Sequence, residues 1–207
     1  MNNTAENNSK NSNDINENSK SLRKLSVVVS VYNEEKALRE FYKETNKILE
    51  QIRKSGWEHE LIFVNDGSSD NSLSILEELA KEDHDVKLIS FSRNFGHEAA
   101  MIAGIDHSTG DGIICMDADL QHPPECIPKI IEKFDAGYEV INMVRTKNES
   151  AGLIKNITSS GFYWLINHIS DVHFEPNASD FFAISRHVAQ VLKDNYREKV
   201  RFLRGYV

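Results

Sequence analysis

Cysteine is scarce. Cys115 and Cys126 are the only two in 207 residues; they lie in apolar surroundings and have no CxxC spacing. They read as buried thiols and give no basis for a disulfide framework or a zinc pair. Basic residues are also short: 24 Lys and Arg stand against 32 Asp and Glu, a formal net charge of −8. That balance lacks the basic footprint of a general nucleic-acid binder. The opening of the chain has no apolar segment of the signal-peptide kind. No apolar run approaches the ~18 residues that mark a membrane span. Two nucleotide signatures are missing as well. No GxGxxG follows the first strand-like run and no GxxxxGK(S/T) occurs, which excludes a usual dinucleotide binder and a P-loop NTPase. The eight histidines form no metal pattern, since His97-Glu98 lacks the second His of an HExxH site.

What is present begins with a polar tail. Met1 to Lys20 holds eight Asn and three Ser, with Ile15 its only large aliphatic residue. Such a stretch cannot bury enough apolar surface to offset its ordering entropy. Residues 1–22 are therefore expected to be a disordered tail, and residues 23–207 one domain. At 40% hydrophobic and 27% charged residues, the chain is long enough for a single substantial core.

Leu25 to Val31 is a β-branched, nearly all-apolar run, the pattern of a buried parallel strand. Tyr32-Asn33-Glu34-Glu35 follows, with Asn33 placed to cap a helix. Ala37, Leu38, Phe41, Tyr42, Thr45, Ile48, Leu49 and Ile52 recur at helical spacing as far as Lys54, and Gly56 ends the helix. The cycle repeats. Strand Glu60 to Val64 leads into the polar turn Asn65 to Asn71, with Asp70 or Asn71 as cap. A helix bearing Leu73, Ile75, Leu76 and Leu79 comes next. Strand Val86 to Phe91 leads through Ser92-Arg93-Asn94-Phe95-Gly96 into a helix from His97 to His107. Gly112 to Met116 is a fourth strand. Ile127, Ile130, Ile131 and Phe134 mark a helix closed by Gly137, and Val140 to Val144 is a further strand. This alternation predicts an α/β fold with a doubly wound, mostly parallel sheet flanked by helices.

Ligands of such sheets bind outside the carboxyl ends of the strands. The polar clusters fall there: Tyr32-Asn33-Glu34, Asn65-Asp66, Arg93-Asn94, and Asp117 with Asp119. A lone Asp-x-Asp after a strand is as readily a polar turn. Four polar strand ends on one edge are harder to dismiss. Paired carboxylates without Cys or His ligands suit a hard cation such as Mg²⁺ or Mn²⁺. The acidic edge favours a nucleotide held through base contacts and a metal-bridged diphosphate.

Four motifs carry a family resemblance: Val31-Tyr32-Asn33-Glu34, Val64-Asn65-Asp66-Gly67-Ser68-Ser69-Asp70, Arg93-Asn94-Phe95-Gly96 and Asp117-Ala118-Asp119-Leu120-Gln121. From Leu25 to Val207 the chain resembles family 2 glycosyltransferases of the GT-A (Rossmann-like) fold. The trailing Gln121-His122-Pro123-Pro124-Glu125 narrows the likeness to the polyprenyl-phosphate branch. That branch holds GtrB-type bactoprenol glucosyltransferases and dolichyl-phosphate mannose synthases. The resemblance implies a donor site built from Val31, Tyr32, Glu34, Asp66, Arg93, Asp117 and Arg204. It implies a divalent-metal site at Asp119, Gln121 and Asp117. The catalytic group would be Asp119, Asp117 and Asp180, and Arg145, Lys147 and Lys155 would receive the acceptor phosphate. Residues 23–144 would form the nucleotide-sugar half and 145–207 the acceptor side.

Transfer from a nucleotide-sugar to such an acceptor would be inverting and metal-dependent, with a UDP-sugar as donor and a polyprenyl phosphate as acceptor, for cell-surface glycan synthesis. The expected setting is the cytoplasmic face of the membrane, with peripheral contact, no nucleic acid, and homo-oligomers open. At Ala178-Ser179-Asp180-Phe181-Phe182, relatives have Gly-Asp-Phe-Arg. The missing Arg leaves Asp180 as an acceptor- or sugar-orienting group, a base for a hydroxyl acceptor, or a helix cap near Arg186. The apolar stretch Ile154 to Ile169 reads as a core helix or a membrane-resting one. GtrB-type proteins continue past the Arg-Gly with an amphipathic segment and membrane helices, whereas this sequence stops at Val207, as a catalytic domain, a fragment or a short form would. Two other readings stay open: a transferase acting on a saccharide hydroxyl, and a nucleotide-sugar-binding module without turnover.

Overall fold

The apolar run after the tail forms β1 (Arg23–Val31), buried along nearly all its length. Its period-two alternation serves two cores. Leu25, Val27, Val29 and Val31 face one side of the sheet, and Val28 faces the other. The computed structural model of the chain describes residues 23–121, 123–144 and 178–195. Five more strands follow: β2 (Trp57–Asn65), β3 (Val86–Ser90), β4 (Gly112–Asp117), β5 (Val140–Val144) and β6 (Ala178–Ser185). They assemble in the order β3–β2–β1–β4–β6–β5. β1, β2, β3 and β4 are mutually parallel, whereas β6 runs antiparallel to both β4 and β5.

Helices cover both faces. α1 (Leu38–Lys54), α2 (Ser72–Glu82) and α4 (Ile127–Asp135) set Phe41, Leu49, Leu76 and Ile130 into the larger core. Phe41 meets Phe63 of β2 edge to face at 6.1 Å. On the opposite face, α3 (His97–His107) and α5 (Arg186–Asn195) bury Met101, Ile105, Ala189 and Leu192. Burial of each such side chain stabilises the fold by about 1.5–3 kcal/mol. α3 lies very close to β1: a methyl group on Gly104 would stand 2.1 Å from Cγ1 of Val28.

The doubly wound, mostly parallel sheet is as the alternation predicts, with two differences. Ala178–Ser185 is a strand, not loop and cap, and it inserts between β4 and β5. Its Phe181 and Phe182 enter opposite cores, a period-two signal hidden in a short aromatic run. The helix caps also differ. Asn33 does not cap α1, whose N-terminal residue Ala37 makes no side-chain cap. At α2 the first of the two expected caps serves: the Asp70 carboxylate accepts the Ser72 N–H at 3.0 Å, and Asn71 makes no side-chain cap. α5 starts at Arg186 with Ser185 Oγ accepting the Val188 N–H, so Asp180 is a strand residue rather than its cap. The expected tail, Arg145, Lys147, Lys155, the Ile154 to Ile169 stretch and Arg204 lie outside the described residues.

Candidate active site

The strand register brings the polar ends together. Val31 pairs with Asn65, Asn65 with Ser90, and Ser30 with Asp117. The carboxyl ends of β1 to β4 therefore finish flush, and the four loops leaving them share one edge. Each of those loops contains one residue with left-handed backbone: Asn33, Gly67, Gly96 and Leu120. Leu120, at φ 59°, is the costly one, since a branched side chain there stores on the order of 1–3 kcal/mol. The turn it permits lets the Gln121 N–H reach Oδ1 of Asp119 at 3.0 Å, which fixes that carboxylate over the end of β4.

The first two loops are stitched side by side. Asn33 Oδ1 accepts the Ser69 N–H at 2.8 Å, and its own N–H donates to Ser68 Oγ. Glu34 N–H donates to Ser72 Oγ. Glu35 N–H donates to Asp70, and its carboxylate takes both the backbone and side-chain N–H of Asn71. Asp70 is pushed up by burial, but the bonds from Ser72 and Glu35 outweigh that and hold its carboxyl below the usual range. The third loop is anchored by Asp66, which is buried and accepts the N–H of Phe95 at 2.7 Å and of Gly96 at 3.0 Å. Its own N–H donates to the carbonyl of Val31. Gly67 permits the approach, for a Cβ there would fall 2.3 Å from the backbone of Arg93.

Charge is concentrated on this edge. Glu34 is held above the ordinary carboxyl range, first by partial burial and then by the charges of Asp119, Asp117 and Asp70. Four carboxylates sharing one field is a poor arrangement for an empty surface and a good one for a hard cation. Asp117 is partly buried, and His97 Nδ1 stands 3.3 Å from its Oδ1. Tyr32 is half exposed beside Glu34, whereas the Val31 side chain is fully buried and belongs to the core. The Arg93 guanidinium stacks on the Phe95 ring at 4.1 Å. Gln121 is exposed next to Asp119.

Asp180 lies on β6, near its start. Cys115 pairs with Phe182 in an antiparallel register, and the pairing of β5 with β6 is irregular between Phe182 and Ala178, the stretch that holds Asp180. β6 runs antiparallel to β4, so its first residues lie toward the end of the sheet where β4 finishes. His97 is the site residue that the sequence pattern passed over. A search for HExxH does not single it out, but its place one residue past Arg93-Asn94-Phe95-Gly96, at the start of α3, puts it on this edge.

A second acidic group, Asp83, His84 and Asp85, could bring three ligand atoms within 4.8 Å of one another. It lies before β3, at the other end of the sheet, and Arg53 is ion-paired with Asp85. It borders a cleft of about 460 Å³ that includes Arg53, Trp57 and His59. A guanidinium already on one ligand opposes a cation there.

The fold is that of a GT-A glycosyltransferase domain. The profile of glycosyl transferase family 2 matches residues 26–192, and the chain belongs to that family. It is 43% identical over 182 residues to the uncharacterized glycosyltransferase YkcC of Bacillus subtilis (strain 168), covering 88% of this chain and 55% of that protein. It is 45% identical over 170 residues to a prophage bactoprenol glucosyl transferase homolog of Escherichia coli (strain K12), covering 82% and 55%. The chain thus spans about half the length of these relatives. Among solved structures, S. aureus TarS residues 1–349 align with a TM-score of 0.59 at 18% identity, covering 88% of this chain and 53% of that one. Glucosyl-3-phosphoglycerate synthase from Mycobacterium tuberculosis, in complex with Mn²⁺, UDP and phosphoglyceric acid, aligns at 0.56 and 18%, covering 82% and 58%. At such identities the structural likeness speaks for the fold. Among the described residues no helix is long and apolar enough to cross a membrane.

Proposed function

We propose that the chain moves a sugar from a UDP-sugar to a polyprenyl phosphate, with inversion, as a step in cell-surface glycan synthesis at the cytoplasmic face of a membrane. One observation carries the reading: partial burial and then the nearby charges of Asp119 and Asp117 at one strand edge hold the Glu34 carboxyl above its ordinary range. The bactoprenol glucosyl transferase homolog supports the lipid acceptor, and the UDP-bound synthase supports the donor.

The residues fit a divalent cation. Hard carboxylate oxygens of Asp117 and Asp119 are turned to one edge, Gln121 stands beside them, and the cluster has a surplus of negative charge. When bound, Mg²⁺ or Mn²⁺ would act as a Lewis acid toward the leaving diphosphate. Around it, Tyr32, Glu34 and Asp66 would face base and ribose, with the Val31 backbone below. Arg93, carried on Phe95, and Arg204 would meet the diphosphate. A polyprenyl phosphate is already ionised at neutral pH, so its attack on the anomeric carbon asks for positioning rather than a strong base. Arg145, Lys147 and Lys155 would hold the acceptor phosphate, and Asp180 would orient the sugar or acceptor from the start of β6.

The test is calorimetric titration of UDP and GDP, each with and without Mn²⁺, into wild type and Asp119→Ala. The expected result is Mn²⁺-dependent binding of UDP, weakened at least 10-fold by the mutation. Transfer from a UDP-sugar to a short polyprenyl phosphate then follows as the activity assay. A folded chain that binds neither nucleotide overturns the proposal. A chain that binds UDP and glycosylates only a saccharide hydroxyl, losing turnover but not binding in Asp180→Asn, overturns the lipid acceptor.

A further inference from the structure

We infer that Asp66 works in the donor site as a positioning residue: its carboxylate holds the backbone of the third loop and so sets where Arg93 stands. The inference rests on the donor reading given above and sharpens it, turning a group beside base and ribose into the anchor of the arm that meets the diphosphate. The carboxylate is committed on both oxygens. Oδ1 accepts the Phe95 N–H at 2.7 Å and Oδ2 accepts the Gly96 N–H at 3.0 Å, and the residue is 2% exposed. Its own N–H donates to the Val31 carbonyl at 2.9 Å, which ties the anchor to the end of β1. The next residue closes the grip. Gly67 has a left-handed backbone, φ 67°, and a methyl group there would fall 2.3 Å from the carbonyl carbon of Arg93 and 2.6 Å from its Cα. Both are backbone atoms, so no flexible side chain can move aside to make room.

From the backbone the hold passes to the side chains. Phe95 is 52% exposed, so core packing does not place its ring. Two neighbours do. Phe91 meets it edge to face at 5.4 Å, and the Arg93 guanidinium lies over it at 4.1 Å, drawn there by the ring quadrupole. A long side chain that must be ordered when its ligand arrives costs affinity, and the ring orders this one beforehand. Among the described residues Arg93 makes no ion pair, and its guanidinium hydrogen-bonds only the Asn94 carbonyl, at 3.3 Å. Its positive charge therefore stays available to an anion. A carboxylate suits the anchor, because it only accepts and so meets two converging N–H groups without a competing donor. An amide in its place would have one oxygen for two N–H groups and would set its own NH2 against the second.

The experiment compares UDP, titrated with Mn²⁺, against uridine, which has the base and ribose but no phosphate. Both go into wild type, Asp66→Asn and Gly67→Ala, UDP by calorimetry and uridine by ligand-observed NMR, with a melting curve for each variant. Asp66→Asn loosens the arm by removing an acceptor. Gly67→Ala displaces it while Asp66 stays in place. Each should weaken UDP about 3- to 10-fold, the cost of ordering one long side chain on binding, and leave uridine within about 2-fold. In an Arg93→Ala background neither should weaken UDP further. Hydrogen exchange at the Phe95 and Gly96 amides should be faster in Asp66→Asn than in wild type. Equal losses for UDP and uridine would make Asp66 a base contact and overturn the inference, as would losses that persist without Arg93. Unchanged exchange at the two amides would overturn it whether or not UDP binds. A wild type that binds no UDP with Mn²⁺ would instead overturn the donor reading on which it rests.

Discussion

Glu34 shows at the scale of one residue what the site costs the fold. Its carboxyl is raised by partial burial and by Asp119, Asp117 and Asp70. A raised carboxyl contributes stability that is present below the unfolded value and lost as pH climbs through the folded one. At neutral pH the ionised Glu34 is therefore a net cost to the ligand-free domain. Glu34→Gln keeps the shape and removes the charge. It should raise the melting temperature without ligand by about 1–3 °C, while weakening Mn²⁺-dependent UDP binding at least 10-fold. Differential scanning fluorimetry beside the titration measures both. A lower melting temperature with unchanged binding would mean that Glu34 is structural. Opposite movement of the two readouts is the mark of a site held together against its own repulsion.

At the scale of elements, the far end of the sheet is clamped by Glu60, an almost fully buried carboxylate on β2. It accepts from Ser26 on β1 at 2.5 Å, from Lys87 on β3 at 2.6 Å and from Thr109 before β4, and Lys24 lies 3.1 Å away. Burial alone would raise it. The donors from Lys87, Ser26, Thr109 and Lys24 outweigh that and bring it to about 2 from an ordinary 4.5. A depressed carboxyl supplies stability above the unfolded value that is lost as pH falls through the folded one. The window is thus about pH 4.5 down to 2. Glu60→Gln should cost on the order of 3 kcal/mol at pH 7 and flatten the pH dependence of urea unfolding in that window. An unchanged slope would remove Glu60 from the acid transition. This clamp was not legible in the sequence, because nothing local marks a Glu inside an apolar strand as ion-paired across two neighbours. Elements with strong periods were legible: β1, α1 and the strand-end polar clusters follow directly from spacing. β6 was not, since Ala178-Ser179-Asp180-Phe181-Phe182 alternates over too few residues to separate strand from loop, and reversal of one strand is settled by tertiary pairing. Asn33 failed as a cap for a related reason. Its backbone is left-handed and its side chain serves the neighbouring loop, a use that helix-start statistics do not contain.

The whole molecule bears a formal net charge of −8, yet the proposed reaction brings it two anions, a nucleoside diphosphate and a lipid phosphate. A charge of that sign repels both at long range, but over about 10 Å salt screens it, so capture must depend on local cations. For the diphosphate the proposed counter-charges are the divalent ion and Arg93, and for the acceptor they are Arg145, Lys147 and Lys155. If these are separate subsites, charge reversal should divide them. Lys155→Glu and Arg145→Glu should lower transfer to a short polyprenyl phosphate at least 10-fold, because an acceptor phosphate would meet a carboxylate. The same variants should leave Mn²⁺-dependent UDP binding within about 2-fold. Asp119→Ala should instead lose UDP binding and, with it, transfer. The measurement is one titration and one transfer assay per variant. Equal losses in both readouts would move the basic residues into the donor site. Loss in neither would place the acceptor elsewhere on the molecule, with Asp180, near the start of β6, as the next residue to test.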